Sequence, residues 1–101
     1  MTIPTLTQAK IHLRQLDSDL DPAIALAIEA ADSELDNFIG GDPNAERWPT
    51  EEDVPGAVLR AALLLVEANF EPNTPEVAEL LRGIAQKLLL PYRLNTGIGA
   101  A

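Results

Sequence analysis

The run Ala57-Val58-Leu59-Arg60-Ala61-Ala62-Leu63-Leu64-Leu65-Val66 is a nearly unbroken apolar block carrying a single arginine. A helix with one apolar stripe covers one core, whereas a helix apolar nearly all round has to be enclosed by protein or lipid. The block is far shorter than the roughly 20 apolar residues that a bilayer crossing needs. Protein is therefore its expected neighbour, and the excess of apolar surface predicts that part of that protein comes from other subunits.

With 101 residues the chain is expected to form a single helical domain over 1–101, large enough for a modest core. Apolar residues make up 47% and aromatics only 4%, with Ala and Leu dominant, the composition of a folded helical protein and not of a disordered one. Seven Lys and Arg stand against sixteen Asp and Glu, a net charge of -9. That balance disfavours tight binding to nucleic acid, which depends on cations displacing counterions from phosphates. An acidic wall that repels phosphates still suits a passage through which a duplex slides. The chain has no cysteine, which removes disulfides and thiolate chemistry and fits a reducing interior. Met1-Thr2-Ile3-Pro4 lacks the basic segment and long apolar core of a secretion signal, so synthesis in a cytoplasm is expected.

Four helices, with room for a fifth, are legible along the chain. Thr7 can cap a first helix running to about Leu16, with Leu6, Ala9, Leu13, Leu16 and Leu20 recurring at helical steps. Asp21-Pro22 is a cap residue followed by proline at the first helical position, and the second helix runs to about Phe38 with Ile24, Ile28, Ala31, Leu35, Phe38 and Ile39 inward. Gly40-Gly41 supplies the left-handed residue that ends helices. A long loop is expected over 40–53, with two glycines, two prolines, Asn44 and several charges, anchored by Trp48. Pro55 opens the third helix to about Glu71, and Thr74-Pro75-Glu76 caps the fourth, which puts Val77, Leu80, Leu81, Ile84 and Leu88 on one face and is ended by Pro91. The ordered part is expected over about 5–93, with a flexible tail over 94–101.

At about 100° per residue, Arg60, Leu64, Glu67 and Glu71 share one side of the third helix, and Val58, Leu59, Ala62, Leu65, Val66 and Phe70 the other. Two readings stay open for the charged side. It is a subunit contact in which Arg60 meets a neighbour's carboxylate, or Arg60 pairs within the chain or is solvated above its own aliphatic stem. Ala57, Ala61 and Ala68 make a small-residue strip that admits another backbone, in a neighbour or inside the monomer. Glu29, Asp32 and Asp36 share a flank of the second helix, a candidate acidic stripe facing a channel, a solvated face, or a site for a hard cation. His12, the single histidine, is placed on the surface. No nucleophile stands with a base and an orienting partner, and no glycine-rich phosphate loop is present, so neither an enzyme nor a cofactor or metal is expected.

The ordered set Thr5-Leu6-Thr7-Gln8-Ala9-Lys10-Ile11-His12-Leu13-Arg14, Ile28-Glu29-Ala30-Ala31, Phe38-Ile39-Gly40, Val54-Pro55-Gly56 with the apolar block to Val66, and Leu89-Leu90-Pro91-Tyr92-Arg93 resembles the head-tail connector, or adaptor, proteins of tailed bacteriophages. The similarity covers about residues 5 to 93, and the terminal Pro-Tyr-Arg is its most distinctive piece. The stretch Gly83 to Lys87 departs from the family as a longer lead into that segment. The resemblance implies a non-catalytic virion subunit at the head-tail junction, made in the bacterial host cytoplasm. It implies a homo-oligomeric ring of about a dozen copies beneath the portal protein, closed by complementary lateral surfaces. That ring would extend the DNA channel without reading sequence, and would give a neck or tail-completion protein its docking surface, with no membrane involved. It also makes Leu90, Pro91, Tyr92 and Arg93, with the third helix, assembly contacts. Two other classes remain: an acidic regulatory module of antitoxin or DNA-mimic type that binds a basic protein, and a small metal-dependent enzyme using Glu29, Asp32 and Asp36.

Overall fold

The apolar block becomes the central helix of the molecule. The computed structural model describes residues 3–15, 18–40, 48, 51–70 and 74–92. They form four α-helices, α1 (Leu6–Leu13), α2 (Asp21–Ile39), α3 (Gly56–Phe70) and α4 (Pro75–Leu89), with 3-10 turns at Glu51–Asp53 and Leu90–Tyr92. The fold is an all-α small bundle, with no strand among the described residues. Helix α3 packs on α1, α2 and α4, whereas α1 and α4 make no extended contact with each other.

That arrangement answers the problem posed by the apolar block. Val58, Ala61, Ala62 and Val66 are fully buried and Leu65 nearly so, and each large aliphatic side chain removed from water contributes about 1.5–3 kcal/mol. Leu59, Leu64 and Phe70 pack against this core from its edge. Three helices of the same chain thus supply most of the cover for α3, while Leu59, Leu63 and Leu64 stay only half-buried. Ala61 and Ala68 are buried, so these two residues of the small-residue strip serve close packing inside the monomer, while Ala57 is half-buried. Ala9, Ala27, Ala31 and Ala85 on the other helices are buried as well, and small side chains at helix contacts let the backbones approach.

Helix α2 follows the sequence reading closely. Ile24, Ile28, Ala31, Leu35 and Ile39 are buried and Phe38 packs against the core. Gly40 closes the helix in the left-handed conformation at φ 83°, its N–H donating to the Asp36 carbonyl. Asp21 is not the cap; Leu20 holds that position, and the Asp21 carboxylate instead pairs with Lys10 of α1 at 2.9 Å.

Helix α1 begins earlier than its Thr7 suggested. Thr5 is the N-cap: its hydroxyl accepts from the Gln8 N–H at 3.2 Å while the Gln8 side chain accepts from the Thr5 N–H at 2.9 Å, a reciprocal capping box. The helix stops at Leu13 because Arg14 turns left-handed, with Arg14 N–H donating to the Ile11 carbonyl and Gln15 N–H to the Lys10 carbonyl, the paired bonds of a Schellman ending. Leu16, the expected end, lies outside the described residues.

Helix α4 starts as read, with Thr74 accepting from the Val77 N–H at 3.3 Å and Pro75 in the first turn. Its rotation is different. Ala85 and Leu89 face the core, Leu81 and Leu88 sit at its edge, and Val77, Leu80 and Ile84 are exposed. Most of the expected 40–53 loop and all of the expected tail over 94–101 lie outside the described residues; Trp48 packs against the core.

Candidate functional site

The face of α3 opposite the core carries the predicted interface residues. Arg60 is exposed and Leu64 half-buried. Glu67 is half-buried and bonded to His12 of α1, Nε2 to Oε1 at 2.9 Å, so the surface histidine ties two helices together across 55 residues of sequence. Between His12 and α3 runs a groove of about 250 Å³ lined by His12, Gly56, Leu59, Arg60, Leu63 and Leu64. Its floor is leucine and its rim carries a guanidinium. Lys10 pairs with Asp21, His12 with Glu67 and Arg82 with Glu34, whereas Arg60 has no ion-pair partner among the described residues.

The acidic flank of α2 is not a uniform stripe. Glu29 is exposed, while Asp32 and Asp36 are half-buried. Asp32 accepts the Ile3 N–H at 3.2 Å, holding the N-terminal segment against α2. Among the described residues no three His, Cys, Asp or Glu side chains are grouped so as to hold a metal ion.

At the end of α4, Leu90 and Pro91 are exposed and Tyr92 is half-buried against the core. Arg93 lies outside the described residues. Leu90 leads on from the exposed α4 row, and sequence reasoning missed that row because it put Val77, Leu80, Leu81, Ile84 and Leu88 on one face without dividing them between core and solvent. At about 100° per residue the stripe centres near Val77 and Leu88, but Ala85 and Leu89 point roughly a quarter turn away, and they define the buried side. A small residue such as Ala85 at a helical register is the signal that could have located the close contact.

A polar cluster accompanies that rotation. Glu34 of α2 accepts from Arg82 Nε at 2.8 Å and Nη2 at 3.1 Å, and from Asn69 Nδ2 at 2.8 Å. Asn69 in turn donates to the Leu65 carbonyl at 2.8 Å and accepts from Arg82 at 3.3 Å. Burial pushes the Glu34 carboxyl up, but the bonds from Arg82 and Asn69 and the guanidinium charge outweigh it and hold the group below its ordinary value. The Glu34 bond likewise raises Arg82 against its own desolvation. The cluster joins three helices and leaves the outer side of α4 to its apolar residues.

No helix among the described residues is long and apolar enough to cross a membrane. No protein-family model, curated protein or solved structure matches this chain.

Proposed function

We propose that this protein is a structural assembly subunit, and specifically a subunit of the head-tail adaptor ring of a tailed bacteriophage. In this reading it attaches below the portal protein, extends the DNA channel, and offers a surface to a neck or tail-completion protein. The observation that carries the proposal is the display of large aliphatic side chains on a helix already anchored to its own core: Val77 is 42% exposed, Leu80 63%, Ile84 42% and Leu90 56%. Apolar rows of this kind, rimmed by charge, mark protein contacts. The sequence resemblance supplies the identity of the assembly. The net charge of -9 supports a channel that duplex DNA traverses without adhering.

The test is sedimentation velocity with negative-stain imaging, carried out on the protein alone and with a portal. Rings at high concentration or on the portal support the reading. A strict monomer that never binds a portal overturns it, and salt-sensitive capture of one basic protein without self-association would favour the regulatory-module reading instead.

A further inference from the structure

We infer that the α4 row of one copy docks in the α1–α3 groove of the next, with Arg60 as the charged anchor, so that copies join head to tail. The inference rests on the assembly reading and names the two surfaces that would carry it.

Val77, Leu80 and Ile84 stand at i, i+3 and i+7, the spacing at which a helix lays anchors into a groove. At 1.5 Å per residue they span about 10 Å, and the groove residues from Gly56 to Leu64 span about 12 Å. The groove, about 250 Å³, is smaller than the ~300–1,000 Å³ of small-ligand pockets; its leucine floor suits aliphatic side chains. Charge agrees with shape. Exposed Glu76 and Glu79 flank the row, and Arg60 stands on the rim of the groove without an ion-pair partner among the described residues. Of the two cations on the same helix, Arg82 is held by Glu34, and Lys87 follows the last anchor, Ile84, by about 4.5 Å along the axis, at the end of the row away from Glu76 and Glu79.

Topology keeps the row and the groove apart within one molecule. Helix α1 and α4 both rest on α3 but make no extended contact with each other, so the row of one molecule does not reach its own groove. Two different complementary surfaces on one subunit give a head-to-tail contact, which propagates until rotation closes it. One helix face buries less than the roughly 1,600 Å² of a standard interface, so each contact is weak alone and gains from closure into a ring.

The experiment uses R60E, which spoils the groove, and L80D, which spoils the row, each followed by sedimentation velocity up to about 1 mM, with circular dichroism confirming the fold. Association in each variant alone should weaken by about tenfold or more. Their equimolar mixture should give a discrete dimer that does not grow, because the intact row of the R60E copy meets the intact groove of the L80D copy. In a second test, R60E combined with E76K and E79K in one chain should regain association. Self-association unchanged in R60E but lost in L80D would mean that α4 pairs with α4, and would overturn the inference. A mixture that stays monomeric overturns it as well, as does a wild-type protein monomeric at 1 mM. Portal-bound rings left intact by both variants would sink this contact while leaving the adaptor reading standing, whereas a wild-type chain that neither self-associates nor binds a portal sinks both.

Discussion

Arg82 of α4 grips Glu34 of α2 through two bonds, 2.8 Å from Nε and 3.1 Å from Nη2, and this pair ties α4 to α2 beside the buried Ala85 and Leu89. Both side chains are about one-third exposed, so solvent screening limits the pair to about 1 kcal/mol. R82A should cost somewhat more, about 1–2 kcal/mol, because it also leaves the half-buried Glu34 with fewer partners. Urea unfolding at neutral pH measures the loss, and a double-mutant cycle of R82A with E34Q isolates the pair.

The same cluster predicts an acid sensitivity. The carboxyl of Glu34 is held below its ordinary value of 4.5, so the folded state binds its proton less readily than the unfolded chain does. Its stabilising contribution is complete above the unfolded value and disappears as pH falls through the lowered folded value. Wild type should therefore lose stability relative to E34Q on titration from pH 6 to about pH 3. Parallel unfolding midpoints that keep a constant gap across that range would remove Glu34 from the account.

Leu65 and Leu80 make a matched comparison of interior and surface. Leu65 is 3% exposed on the central helix and Leu80 63% exposed on α4. L65A should destabilise by about 2–5 kcal/mol through lost burial and the cavity left behind, whereas L80A should stay within about 0.5 kcal/mol. Denaturant midpoints of the two variants, taken at a concentration low enough to exclude association, distinguish a core position from a docking position.

Much of this architecture is legible locally. The spacing of Ile24, Ile28, Ala31, Leu35 and Ile39 defines the buried face of α2, Gly40 stops it, and Thr74-Pro75 starts α4, because periodicity and cap chemistry act within a turn or two of the chain. What fails is what depends on distant partners. Nothing near His12 announces Glu67, and nothing near Val77 or Ile84 says that Glu34 and Asn69 will capture Arg82 or that Ala85 and Leu89 will face the core. The apolar block of α3 posed a related difficulty: it states that the helix must be covered, but only the packing of α1, α2 and α4 shows how much of the cover this chain supplies and that Leu59, Leu63 and Leu64 are left half-buried. The candidate site follows the same pattern, with Arg60 and Leu64 legible on one face of α3 and the exposed row of α4 hidden within a single apolar stripe that spacing alone does not divide.

The start of α1 rests on Thr5, and the alternative cap, Thr7, is a residue inside the helix. T5A removes the acceptor for the Gln8 N–H and should cost about 1 kcal/mol, while T7A, at an exposed position, should be neutral or slightly stabilising because alanine is the better helix former. Thermal unfolding of the two variants reads the difference directly. Equal effects would mean that the capping box does not persist in solution.

Gly83 is the remaining anomaly, a glycine in the interior of α4 where an added Cβ would meet nothing within 4 Å. Its backbone is helical, so neither a positive φ nor a close approach inside the monomer requires glycine. Replacing it by alanine reduces the freedom of the unfolded chain without straining the folded one. G83A should therefore raise stability by about 0.5–1 kcal/mol, seen as a higher urea midpoint with an unchanged slope. The residue also lies beside Leu80 and Ile84 on the outer side of α4, one position before the last anchor of the exposed row. If a neighbouring backbone passes close there, G83A will gain stability as a monomer while associating less well, and sedimentation velocity on the same sample separates the two effects.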